Sequence, residues 1–188
     1  MRSRSVARFL TVALISTVFG NLLLVSASHG ATQGTPGATS TGTINISASV
    51  ASRVRITNLS DVSFSGVDVT ADVSNAQNVC VWSNTATKGY NITATGNGAG
   101  NAFTLNGGTG TPMPYSVQWN QSSGQTSGTA LSTGIALTGQ VSTATNQNCA
   151  SGPSSSASLI VSILAADLAS AVSSATYSGV LTLVVAPE

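Results

Sequence analysis

Charge is what this chain has least of. Asp, Glu, Lys and Arg make up 6% of its 188 residues, against about 25% in an ordinary domain. Past residue 27 the cations are Arg53, Arg55 and Lys88, and the anions are Asp61, Asp68, Asp72, Asp167 and Glu188: three against five, a net charge of −2. With no basic patch, binding to the phosphates of nucleic acid has no electrostatic source. A cationic helix lying on a membrane surface lacks its charged face for the same reason.

Histidine and cysteine are nearly as scarce. The single histidine, His29, sits in a Gly/Thr-rich stretch that cannot hold it in a Ser–His–acid triad. One histidine and two cysteines are too few for a zinc site of the usual kind. Asp61, Asp68 and Asp72 lack the alternating acids and glycine of a calcium loop and read as solvated loop or edge charges. The glycine runs lack the Lys-Ser/Thr of a phosphate loop, lead into no helix, and read as hairpin turns. Asn45, Asn58, Asn91 and Asn120 each start an N-x-Ser/Thr triplet, a cheap match in Ser/Thr-rich sequence. These shortages point to a protein that is not an enzyme and carries no cofactor or metal. The low charge, with many β-branched residues, also suits strands that pair with other chains.

Two apolar patterns stand out against this background. Arg2, Arg4 and Arg8 precede an apolar stretch, Phe9–Ala27, that ends in Val25-Ser26-Ala27. Residues 1–27 therefore read as a secretory signal peptide, with a membrane anchor as the rival. Export makes a bridge between Cys80 and Cys149 the expected state, two buried free thiols being the alternative. A bridge would close a loop of about 70 residues, worth roughly 4 kcal/mol on the chain-entropy account.

The second pattern follows a Gly/Thr/Ser/Ala-rich leader, residues 28–42, which reads as flexible. Ile44, Ile46, Ala48, Val50, Val54 and Ile56 alternate with mainly polar residues over thirteen positions, 44–56. Period-two alternation is a strand signal, and this run exceeds the usual strand of about 5–6 residues. Two successive strands, or one strand with two purposes, would account for it. Shorter strands are expected at Val79–Trp82, Tyr90–Ala94, Phe103–Leu105, Tyr115–Trp119, Ile135–Leu137, Leu159–Ile163 and Tyr177–Val185, with one helical turn in 165–171. Short strands between Gly, Pro, Asn and Ser turns specify an all-β fold: one antiparallel β-sandwich over residues 43–188. The loop Gln121–Gly128 is low in complexity and reads as mobile. Trp82, Tyr90, Tyr115, Trp119 and Tyr177 fall on alternating apolar faces and read as core, with Trp119 the best candidate for an exposed sugar-binding ring.

Three stretches carry a family likeness: Thr43–Val50 running into Val54–Ile56; Met113–Trp119 after Phe103–Gly108; and the terminal Ala175–Val185. Together they resemble major pilin subunits of the chaperone–usher pathway, both CS1/CFA-type fimbrial subunits and spore-coat-U-like archaic pilins. The resemblance implies an immunoglobulin-like sandwich lacking one strand. It implies a surface fimbria as destination, reached through the periplasm, and a periplasmic pilus chaperone, an outer-membrane usher and further copies of the chain as partners. Residues 43–50 would be the donor strand, filling a neighbour's pockets with Ile44, Ile46, Ala48 and Val50. The alternative function is a non-polymerising secreted or cell-surface adhesin, self-complemented and binding carbohydrate through exposed aromatics.

Overall fold

A computed structural model describes residues 30–108, 111–173 and 175–188, so the proposed signal peptide and His29 lie outside the described residues. The chain divides after Ser49 into two units. In the first, Thr32 and Thr43 exchange both backbone hydrogen bonds, at 2.9 and 3.1 Å, and their hydroxyls also meet. Every residue from Gly30 to Ser49 is exposed, so the described part of this unit buries no core.

The second unit, residues 50–188, is an antiparallel β-sandwich. Its strands are β1 (Val54–Thr57), β2 (Val73–Ser83), β3 (Gly89–Gly96), β4 (Thr104–Leu105), β5 (Met113–Pro114), β6 (Ser116–Asn120), β7 (Thr129–Ala130), β8 (Ala136–Val141), β9 (Ala157–Ile163) and β10 (Leu181–Pro187). A short α-helix, α1 (Ala165–Ala169), precedes β10. A five-stranded sheet runs β1-β2-β9-β6-β7 and faces a three-stranded sheet, β10-β3-β8; β4 and β5 form a small hairpin.

Alternation decides which side chains meet between the sheets. Tyr90, Ile92 and Ala94 of β3 face Val79 and Val81 of β2, Val117 and Trp119 of β6, and Leu159, Val161 and Ile163 of β9 in one core. Trp119, expected as the exposed exception, is 1% exposed. Its indole Nε1 donates to Tyr90 Oη at 3.1 Å, and the rings meet edge to face with centroids 6.4 Å apart. A buried indole N–H needs such an acceptor, so the pair ties the two sheets together.

Several expected elements move. β2 extends six residues ahead of Val79, through Ser74, Asn75, Gln77 and Asn78, because pairing with β9 from Val73↔Ile163 onward supplies its backbone bonds whatever the side chains. The alternating run forms a strand only at Val54–Thr57; residues 44–53 pair with no strand among the described residues. The glycine run 96–100 is no hairpin turn, since β3 pairs with β10 and β8 while β4 pairs with β5. Glycines 107 and 108 do lie in the β4–β5 connection.

The loop 121–128 is held rather than loose. Gly124 N–H donates to Asn78 Oδ1, Gln125 N–H to Ser158 Oγ at 3.0 Å, and Ser158 Oγ to Ser122 O at 3.0 Å. The loop thereby covers Ser158, which is buried on the outer side of β9. Cys80 and Cys149 are joined in a disulfide, which pins the loop between β8 and β9 onto the middle of β2. Ser156 Oγ donates to Val81 O at 2.9 Å and accepts from Val81 N–H at 2.8 Å, fastening the same loop again. A disulfide of this kind belongs to an oxidising compartment, periplasmic or extracellular. Among the described residues no helix is long and apolar enough to cross a membrane.

Candidate functional site: a groove at the open sheet edges

Each sheet ends in an edge strand whose outer backbone groups need partners or water. On the three-stranded sheet the two edges are treated differently. β8 carries a bulge, where its register against β3 shifts between Tyr90 and Ile92 and Gly139 adopts φ of 70°. The Gly139 amide donates to Glu188 Oε2 at 2.8 Å and the Val141 amide to Gln121 Oε1 at 2.9 Å. A bulge with side-chain acceptors on its amides blunts an edge against further pairing.

β10 has no such protection. It pairs with β3 over all seven residues without a bulge. The Glu188 amide donates to Gly89 O, so by antiparallel alternation the backbone groups of Leu181, Leu183 and Val185 point away from β3. They have no backbone partner among the described residues. Pro187, with no N–H, ends that outer row.

Beside this edge lies a groove of about 590 Å³. One wall is Gly179–Leu183. The other is Leu59–Phe64, the chain leaving β1, which pairs with no strand among the described residues. Gln77 of β2 holds that wall: its Oε1 accepts from Ser60 N–H at 2.8 Å and its Nε2 donates to Ser60 O at 3.0 Å. The floor is apolar, made by Leu159, Val161 and Ile163 of β9 with Leu105 and Tyr115. Each wall is about five residues long, or roughly 16 Å at strand rise. Asp61 is the one ionisable carboxylate on the rim. The site is therefore a hydrophobic slot flanked by an unpaired strand edge.

Tyr115 is the polar exception on the floor. It is 8% exposed, packs on Phe103 with centroids 5.6 Å apart, and its Oη is buried without a hydrogen-bond partner among the described residues. Burial pushes its phenol pKa up. Tyr90 is shifted the same way, to about 12, by burial that outweighs the opposing bond from Trp119.

The residues singled out in the sequence divide cleanly. Cys80 and Cys149 are brought together. Ile44, Ile46 and Val50 are 72%, 86% and 86% exposed, and Ala48 is exposed as well. None of these four lines the groove of its own chain. Asp68 makes a local turn through Thr70, and Asp72 Oδ1 accepts from the Ala165 amide at 2.8 Å, so both acids serve loops. The aromatics form no exposed platform: Tyr90, Tyr115 and Trp119 are buried, and Trp82 and Tyr177 are half-buried. The groove itself was missed, because its walls come from segments 120 residues apart; the signal lay in Leu59, Val62 and Phe64, apolar positions with no strand pattern to absorb them. No protein-family model matches the chain, and neither does any curated protein sequence.

Proposed function

We propose that this chain is a structural subunit of a surface pilus that polymerises by donor-strand exchange. The observation that carries the reading is a pairing of opposites within one chain. Residues 44–50 present apolar side chains at every second position to solvent, and the sandwich presents an apolar groove along the unpaired edge of β10. Scattered exposed apolar residues are ordinary, but an alternating row of them is a strand without its sheet. Seating that row in the groove of a second copy supplies both missing halves. Its backbone extends the β10 ladder, and Ile44, Ile46, Ala48 and Val50 fill the floor. The segment carries no charge, and neither does the floor, so burial costs no unpaired ion.

The partners follow from the same surface. A subunit with an open β10 edge is prone to uncontrolled pairing until the groove is filled. A periplasmic pilus chaperone would cover it first, and an outer-membrane usher would exchange that cover for the next subunit and pass the polymer to the cell surface. The destination would be a fimbria supporting adhesion or biofilm formation.

The test uses the full secreted chain. Purified protein is expected to form a ladder of non-covalent multimers, visible by light scattering after chromatography and by electrophoresis without heating. A stable monomer at all concentrations, with cooperative thermal unfolding and no added partner, would sink the reading in favour of a self-complemented domain.

A further inference from the structure

We propose that Tyr115 sets the register of the strand seated in the groove, its hydroxyl bonding the strand's backbone beside Ala48. The inference rests on the donor-strand reading above and specifies how that site selects one alignment.

Length alone leaves the alignment open. Walls of roughly 16 Å take two or three inward side chains, whereas the segment offers four, Ile44, Ile46, Ala48 and Val50. A strand that can sit in several registers needs a specific feature to choose between them. The floor has one such feature. Leu105, Leu159, Val161 and Ile163 are aliphatic and indifferent to a two-residue slip, while Tyr115 combines the bulkiest side chain with the one polar atom.

That atom is unsatisfied in the isolated chain. Tyr115 Oη is buried without a partner, a state that native structures avoid because desolvation is not repaid. The seated strand has matching groups to give. Its backbone on one side is taken by Leu181, Leu183 and Val185, but on the other it faces Leu59–Phe64, which offers no regular ladder. Carbonyls on that side are free to accept from a phenol. Only a small inward residue lets the backbone come down to the ring, since an isoleucine or valine holds it off by its branched carbons. Ala48 is the single small residue among the four.

Cysteine pairs in the full secreted chain test the register. Tyr115→Cys is combined in turn with Ile46→Cys, Ala48→Cys and Val50→Cys, the native bridge being checked by mass. Intermolecular disulfides should form at least tenfold more with Ala48→Cys than with the other two. Dominant linking through position 46 or 50 overturns the register while leaving strand exchange standing. No linking in any pair, from a wild type that forms multimers, overturns it as well. A wild type that stays monomeric removes both. Tyr115→Phe, which keeps the ring, tests the hydroxyl: release of the seated strand should quicken about tenfold, with thermal unfolding of the dissociated subunit unchanged or higher. An unchanged release rate overturns the hydrogen bond.

Discussion

Replacing Ile46 by aspartate should separate folding of the sandwich from the proposed assembly. In its own chain Ile46 is 86% exposed and pairs with no strand, so the substitution should move monomer stability by no more than about 0.5 kcal/mol. In a neighbour's groove the same side chain would lie on a floor of Leu159, Val161 and Ile163. Losing isoleucine burial there forfeits about 2 kcal/mol. Placing a carboxylate without a partner on apolar ground adds at least as much. The sum, about 4 kcal/mol, weakens the joint roughly a thousandfold. Sedimentation of the variant at micromolar concentration is expected to show monomer where the wild type gives multimers, and calorimetry to find the subunit's melting temperature within a degree or two. An early melt would mean that Ile46 belongs to its own core; undiminished multimers would mean that the groove takes something else. Either result refutes the reasoning.

Other outcomes follow from the same packing. Cys149→Ser opens a loop with a sequence separation of 69 and should cost about 4 kcal/mol in chemical denaturation, with reduced periplasmic yield. Tyr90→Phe leaves the Trp119 indole N–H without its acceptor and should destabilise by about 1–3 kcal/mol, read from denaturation midpoints and a changed near-ultraviolet tryptophan band. Because the folded Tyr90 pKa of about 12 lies above the unfolded value near 10, its stabilising effect is complete below pH 10 and is lost as pH rises to 12. Stability measured across that window should fall, Tyr115 adding in the same direction, and Tyr90→Phe should flatten the decline. Gln121→Ala with Glu188→Ala uncaps the Val141 and Gly139 amides and should raise non-specific association in light scattering while changing the melting temperature little.

The fold class was legible because β3, β6 and β9 alternate in the ordinary way: Tyr90-x-Ile92-x-Ala94 and Leu159-x-Val161-x-Ile163 face one core. Alternation reports side-chain burial, not pairing, and two departures from the strand pattern follow from that. Ser74 to Asn78 look like loop yet are strand, since β9 satisfies their backbone. Ile44 to Val50 look like strand yet have no ladder in their own chain. The disulfide was legible from export and an even cysteine count. The groove was not, because it is a property of two distant edges, and no local pattern in Leu59–Phe64 or Gly179–Leu183 says that they will lie opposite each other.

The unequal edges of the three-stranded sheet would fix the valence of a subunit in the proposed assembly. With β8 closed by its bulge and the acceptors of Gln121 and Glu188, the three-stranded sheet keeps one open edge, at β10, so on the donor-strand reading each copy would accept one strand there and give one. Such a contact is head to tail, and head-to-tail contacts that do not close into a ring propagate as filaments. In the proposed assembly the two ends would differ in kind: one terminal copy keeps an unused strand, harmless and exposed, while the other keeps an unfilled groove. Only the second end would need a cap, the place that residues 43–50 of another copy fill at every internal joint of the proposed assembly.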